Sequence, residues 1–429
     1  MSMALSLPRG PHPGPGLDRL QSGGLTDAYL KVLFFTLPMT SFLALPFVQG
    51  TTPANLLLLL LLFPLSGPLL LGLSGYGRLV AGLLPFVLGL AVLFVASRYS
   101  LLYASQGLGG LSLTNPRFIL PLTMTANVTQ SIYLIVGLTL LFLLSRHYDR
   151  AWDGAIFAGA WFLLAYGFAD WAAQTFAGLN VDLLSNRTFE VGRYEMPGSL
   201  RQTLPIAGLP MLRFKSFTGE PSMYCLTALC YLALAIARDR RWLAGALVLS
   251  ILLSFSATGY LGLIAFAAFF VRRAPFAWVA SALGLFIGGL AVVIWVDGDA
   301  LWQSIDHLFL SKLAAESHSG SARLTSFLRH LEAWWGSPLT VLVGYGFGTA
   351  RSTDFLSTLL VNLGLIGTLA VFALFGRLLL RARRCSAAVL PAGLVAVFIL
   401  MLVAVPEFAY LPPWLLAGIA LRESGHRTA

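Results

Sequence analysis

Runs of about 20 apolar residues, the length a helix needs to cross about 30 Å of hydrocarbon, recur from Tyr29 to the end of the chain. Inside lipid each segment must satisfy its own backbone hydrogen bonds, so many such runs predict a helical bundle. The charge content agrees. Only 11% of the 429 residues are charged and 57% are hydrophobic, where a soluble domain carries about a quarter charged residues. The expected fold is an all-α integral membrane protein, a polytopic bundle of about 12 transmembrane helices with two long loops on its outer side.

The basic residues orient the bundle. With Arg9, Arg19 and Lys31 taken as cytoplasmic, predicted spans at 29–48, 56–73, 79–95, 131–145 and 151–170 leave Arg78, Arg146 and Arg150 on that same side. A sixth span at 221–237 returns the chain to the Arg-Asp-Arg-Arg cluster at 238–241. One helix over 243–271 would set Arg240 and Arg241 opposite Arg272 and Arg273, whereas two short segments meeting at Ser-Ala-Thr-Gly, 256–259, keep both pairs inside. Spans at 276–296, 354–380, 387–405 and 408–421 complete the set, with Arg-Ala-Arg-Arg, 381–384, inside. The chain therefore divides into a Pro- and Gly-rich tail, 1–28, read as a disordered cytoplasmic leader rather than a cleavable signal; helices one to five in 29–170; an outer loop, 171–219; helices six to nine in 220–296; a second outer loop, 297–353; helices ten to twelve in 354–421; and a short tail, 422–429. Cys225, Cys230 and Cys385 lie in or beside apolar segments and read as buried thiols, not as a disulfide framework or a metal site.

Both outer loops hold cations that the charge rule alone would place inside: Arg187, Arg193, Arg201, Arg213 and Lys215 in the first, Lys312, Arg323, Arg329 and Arg351 in the second. Long loops translocate with little regard to charge, so the topology stands. Any one of these residues can simply face water. Those that open or precede a span, namely Arg213, Lys215 and Glu220, then Arg351 and Asp354, are costly at that depth unless paired or used. A guanidinium fork matches phosphate oxygens, and a lipid-borne pyrophosphate presents its phosphates at the same level.

The stretch 319–367 adds an early arginine, a tryptophan-containing helix, Ser-Pro-Leu, the turn Gly-Tyr-Gly-Phe-Gly and a span bearing Gly-Leu-Ile-Gly. Together with Arg-Phe-Lys-Ser-Phe-Thr-Gly-Glu-Pro-Ser at 213–222, this resembles the O-antigen ligase and polymerase superfamily over roughly the region 213–380. The resemblance implies a bacterial inner-membrane glycosyltransferase, multi-pass, acting at the periplasmic face on polyprenyl-pyrophosphate-linked glycans. Ligases of that family carry a histidine just ahead of the helix after the glycine turn; here the position reads Arg-Ser-Thr-Asp, 351–354, which favours a polymerase of polysaccharide repeat units over a ligase. A family Ser-Arg-Gly is also altered, to Ser-Ala-Thr-Gly at 256–259. A lipid-linked glycan transporter or flippase is the non-enzymatic alternative.

The chemistry follows from the donor. As the sugar leaves its lipid pyrophosphate, negative charge grows on phosphate, and preplaced cations lower that barrier. Arg213, Lys215, Arg323 and Arg351 are the expected substrate-binding cations, with Arg329 either a further one or a solvated helix charge. Gly344 and Gly346 either let the backbone approach phosphate or simply allow a tight turn. Three groups are candidate catalytic bases: Glu220, otherwise a helix N-terminal carboxylate ahead of Pro221; Asp354; and His330, otherwise an interface residue beside two tryptophans. Asp297-Gly-Asp299 reads as a polar helix end rather than a metal site, so no metal or cofactor is expected. Expected partners are the polyprenyl-pyrophosphate-linked glycan, membrane lipids and, for a polymerase, a chain-length regulator docking on the spans. The net charge of +10 points to anionic lipid and pyrophosphate rather than nucleic acid.

Overall fold

The computed structural model describes residues 24–46, 48–102, 111–114, 122–191, 194–197, 202–206, 209–271, 318–385 and 387–425. Its helices are α1 Gly24–Thr36, α2 Pro53–Leu62, α3 Ser66–Leu102, α4 Leu122–His147, α5 Asp153–Ala177, α6 Pro221–Ala237, α7 Arg241–Leu253, α8 Ala257–Val271, α9 His318–Trp334, α10 Pro338–Val343, α11 Phe355–Ala382, α12 Val389–Val403 and α13 Leu411–Gly425. Two antiparallel hairpins, β1 Thr188–Val191 with β2 Tyr194–Pro197 and β3 Thr203–Ile206 with β4 Leu209–Leu212, fill the loop after α5.

Four segments among the described residues are long and apolar enough to cross a membrane: Ser66–Ser97, Ala126–His147, Arg150–Ala177 and Phe355–Ala382. The chain is a multi-pass membrane protein of mostly helical structure. It is not the expected bundle of about 12 spans, nor wholly α. The apolar runs were real, but local breakers cut them into helices too short to cross about 30 Å at 1.5 Å per residue. The run 29–48 is helical only to Thr36. The run 56–73 is interrupted after Leu62, and its second half joins 79–95 in one helix, α3, kinked at Gly72. The stretch 243–271 forms α7 and α8, of 13 and 15 residues, with the break at 254–256, just before Ser-Ala-Thr-Gly is complete. α12 and α13 each have 15 residues. The expected span at 276–296 lies outside the described residues, as do Asp297, Asp299, Lys312, Arg193, Arg201 and most of the N-terminal tail.

The core is built around α6, whose residues Pro221 to Ala235 are all buried. α12, α13, α7 and α8 pack against it, and α13 also runs along α4. By contrast α3 exposes Leu69, Leu73, Leu84, Leu88 and Val92, a continuous apolar surface suited to lipid.

One end of the bundle is tied by a polar knot. Arg238, just past α6, donates from Nε to Asp153 Oδ2 at the start of α5 (2.8 Å), from Nη2 to the Tyr148 hydroxyl after α4 (2.8 Å) and to Glu423 on α13. Four helix ends thus meet on one guanidinium, which accounts for a nearly buried charge: its partners satisfy it. The opposite end of these same helices carries the candidate site.

Candidate functional site

The segment 213–222 closes the loop over the start of α6. Arg213 donates from Nε to the Ser254 carbonyl (3.1 Å) and from Nη1 to Gln202, while the Phe214 N–H donates to the Leu253 carbonyl (3.0 Å). The break between α7 and α8 frees those carbonyls, so the arginine segment is docked on the helix break. Burial pulls the Arg213 guanidinium below its ordinary pKa, and the Glu220 carboxylate acts against that shift while Arg323 adds to it. Arg323, on α9, is therefore close enough for its charge to bear on Arg213.

Arg351 comes from the other side, through the loop before α11. Its backbone N–H donates to the Ser112 carbonyl (2.8 Å), and its guanidinium is ion-paired with Glu407 in the loop between α12 and α13. The Arg351 side chain is 43% exposed while Glu407 is 5% exposed, so the acid is sunk in protein and the cation reaches outward. The Glu220 carboxylate also attracts Arg351, and Arg187 repels it. One carboxylate therefore acts on arginines from both loops.

Glu220 occupies the N-cap position of α6 with Pro221 following, yet its side chain makes no capping hydrogen bond; it accepts instead from the Ser222 hydroxyl (3.3 Å). Asp354 does the reverse. It caps α11, accepting from the Ser357 N–H (2.7 Å) and hydroxyl (2.6 Å) and from the Ser352 hydroxyl (3.1 Å), in a buried setting. A carboxylate so engaged is a helix cap, not a free base. His330 is fully buried on α9, its Nδ1 donating to the Ser326 carbonyl (2.6 Å). Since a carbonyl only accepts, the proton sits on Nδ1 and the lone pair on Nε2, which has no partner. Burial lowers the His330 pKa, with Asp354 pulling the other way, so the ring is neutral near pH 7.

Lys215 does not join the site. It is 1% exposed and paired at 3.0 Å with Asp182, itself 3% exposed, which also accepts from the Tyr166 hydroxyl. The pair holds the loop to α5. Arg329 is an exposed charge on α9.

Gly344 and Gly346 serve the turn. α11 breaks at Gly364 (φ 60°), freeing the carbonyls of Val361 and Asn362, and these accept from the N–H groups of Tyr345 (2.7 Å) and Gly346 (3.0 Å). The Gly344 N–H donates to the Thr340 carbonyl (2.9 Å). Neither glycine amide is left to cradle a phosphate, which removes them as substrate-binding groups. Their φ values of 68° and 110° and the crowding of Gly344 against the Asn362 backbone explain why glycine stands there. Asn362 finishes the lock, donating to the Ala350 carbonyl (2.7 Å) and accepting from its N–H (2.9 Å). Ser-Pro-Leu is a helix start, with Ser337 and Thr340 forming a capping box around Pro338.

No protein-family model matches the chain, and no curated protein matches it in sequence.

Glu407, Arg187 and Tyr410 were missed as site residues by sequence reading. Arg187 Nη1 donates to the Tyr410 hydroxyl (3.4 Å), bringing the first outer loop against the α12–α13 loop. The overlooked signal was Glu407 itself, a lone acid within the apolar stretch 387–421, where an ionisable group carries a functional presumption.

Proposed function

We propose that the chain is a membrane glycosyltransferase that polymerises polyprenyl-pyrophosphate-linked oligosaccharide repeat units into O-antigen, capsular or exopolysaccharide at the periplasmic face of a bacterial inner membrane. The observation that carries the reading is that Arg213 and Arg351, from the two loops, both feel the charge of Glu220, with Arg323 acting on the first, Arg187 on the second, and Glu407 paired with Arg351, at one end of the bundle. Cations arranged in this way suit a diphosphate leaving group whose charge grows as the glycosidic bond breaks. Glu220, uncommitted to capping, is the group of the three candidates best suited to accept the acceptor hydroxyl proton.

A transport reading draws on the glycine breaks in α3 and α11, since transporters place substrates at unwound helices. The freed carbonyls of α11 are capped by Tyr345 and Gly346, which weighs against that reading. The test is reconstitution in liposomes with a purified polyprenyl-pyrophosphate oligosaccharide. The wild type should build a product ladder, Arg213→Ala and Arg351→Ala should lose it by about 100-fold or more, and Arg329→Ala should keep it. An unchanged ladder in both arginine variants would overturn the site; movement of intact donor across the bilayer without growth would favour transport, and transfer of finished polymer to a second acceptor would favour ligation.

A further inference from the structure

The helix α9 divides its surface three ways, and each stripe follows the same helical spacing. Ser326, His330 and Ala333 face the protein: the Ser326 and Ser352 hydroxyls meet at 3.4 Å, His330 is buried, and the Ala333 carbonyl accepts from the Tyr345 hydroxyl (3.0 Å). One residue back along the chain, Thr325, Arg329 and Glu332 form an exposed polar stripe. One residue further back, Leu324, Leu328, Leu331 and Trp335 form an apolar stripe, and Leu324, Leu328 and Trp335 are 48%, 54% and 70% exposed. The Trp335 N–H donates to the Leu331 carbonyl (3.0 Å), so the turn carries the stripe to that residue. A helix surrounded by water has no reason to sort its exposed surface into an apolar strip and a charged one. A helix lying in the plane of a membrane surface does, because one strip meets acyl chains and the other meets water.

The level of the next helix in the fold agrees. α10 packs against both α3 and α11, two of the helices of crossing length. Its end abuts the break in α11: a side-chain carbon on Gly364 would stand 2.4 Å from the Leu342 carbonyl carbon. Gly364 lies nine residues past the start of α11, about 14 Å along the helix axis. α10 therefore meets α11 within its crossing segment, above none of it. Leu339 and Leu342 are exposed at that level, and so are Leu365 and Ile366, the residues that follow Gly364. The apolar strip of α9 and α10 is thus continuous with the surface that the spans present to lipid.

We infer that α9 and α10 lie in the membrane surface on the side of the arginine site, with Leu324, Leu328, Leu331, Trp335, Leu339 and Leu342 embedded in the acyl chains of that leaflet. The occupant of the strip is lipid and not another protein. Thr325, Arg329 and Glu332 look into water, and Trp335 sits at the headgroup level that suits an indole. Arg323, directly before the apolar strip, is held at the height of the lipid phosphates. Its meeting with a lipid-borne diphosphate rests on the polymerase reading above; the lipid contact rests on the helix surfaces alone.

The test uses the full-length protein in phosphatidylcholine liposomes, spin-labelled at one introduced cysteine at a time, with the buried native cysteines left in place. Collision rates are read with oxygen, which concentrates in lipid, and with a water-soluble nickel chelate. The ratio of oxygen to nickel collisions at Leu328→Cys and Leu339→Cys should exceed that at Thr325→Cys and Arg329→Cys by roughly ten-fold, as for groups sunk about 5–10 Å into the interface. Val92→Cys on the exposed face of α3 gives the reference for lipid. Nickel access at Leu328→Cys equal to that at Thr325→Cys would overturn the inference, and so would exclusion of both reagents, the mark of a strip covered by protein. Lipid exposure of the strip in a protein that builds no product ladder would uphold the membrane contact and remove the polymerase.

Discussion

At the scale of single residues, similar side chains at similar sequence positions have been given opposite work. Glu220 and Asp354 both sit at the start of a buried helix, but only Asp354 caps its helix through its side chain. Asp354→Ala should cost about 1 kcal/mol of stability, as loss of an N-cap does, while Asp354→Asn should largely retain it, measured by thermal unfolding in detergent. Lys215→Met, which removes the cation beside the buried Asp182 carboxylate, should be harsher, about 3–5 kcal/mol, and visible as loss of folded protein on size exclusion. His330 gives a pH signature. Its folded pKa lies below the ordinary 6.5, so the unfolded chain binds the proton more readily. Its contribution is complete above about pH 6.5 and declines as the pH falls toward the folded value; His330→Gln should flatten that acid limb of the unfolding midpoint.

At the scale of elements, the sequence marked where apolar segments lie far better than where helices stop. The runs 79–95, 131–145 and 151–170 fall within three of the four helices of crossing length, and 354–380 falls within the fourth but for its N-cap, Asp354. The others, no less apolar, failed on length, because hydropathy counts residues without seeing the backbone. The apolar run 29–48 did carry a stop, Pro38 two residues past Thr36, which a hydropathy count overlooks, whereas the α11 break depends on a partner, the glycine turn, that is distant until folded. The arginines on either side of the site were legible as cations at a membrane boundary. Glu407 was legible too, as a lone acid in an apolar stretch, but was passed over, whereas the burial of Lys215 was set by Asp182, which no spacing rule connects to it. Gly364→Ala should strain a φ of 60° and press against Leu342, so activity and stability should fall together. Asn362→Ala should leave the Ala350 amide and carbonyl unpaired at about 1–3 kcal/mol each, loosening the glycine turn and raising proteolysis near 350.

For the whole molecule, the helices that converge on Arg238 diverge toward the arginine site at their other ends, so the two charged regions belong to opposite ends of one bundle. The native cysteines are all buried and should resist a membrane-impermeant thiol reagent in sealed vesicles. Against that silent background, Leu183→Cys and Trp242→Cys, both at strongly exposed positions, should label from opposite sides of the membrane. Labelling of both from one side would break the arrangement.

The pairing of Arg351 with Glu407, and the pull of the Glu220 charge on Arg213 and Arg351, mean that the resting protein carries its own counter-anions. On the proposed reading, a dianionic leaving group would bind by exchange, taking over a cation that an internal acid already neutralises, and its departure would be assisted by that acid reclaiming its partner.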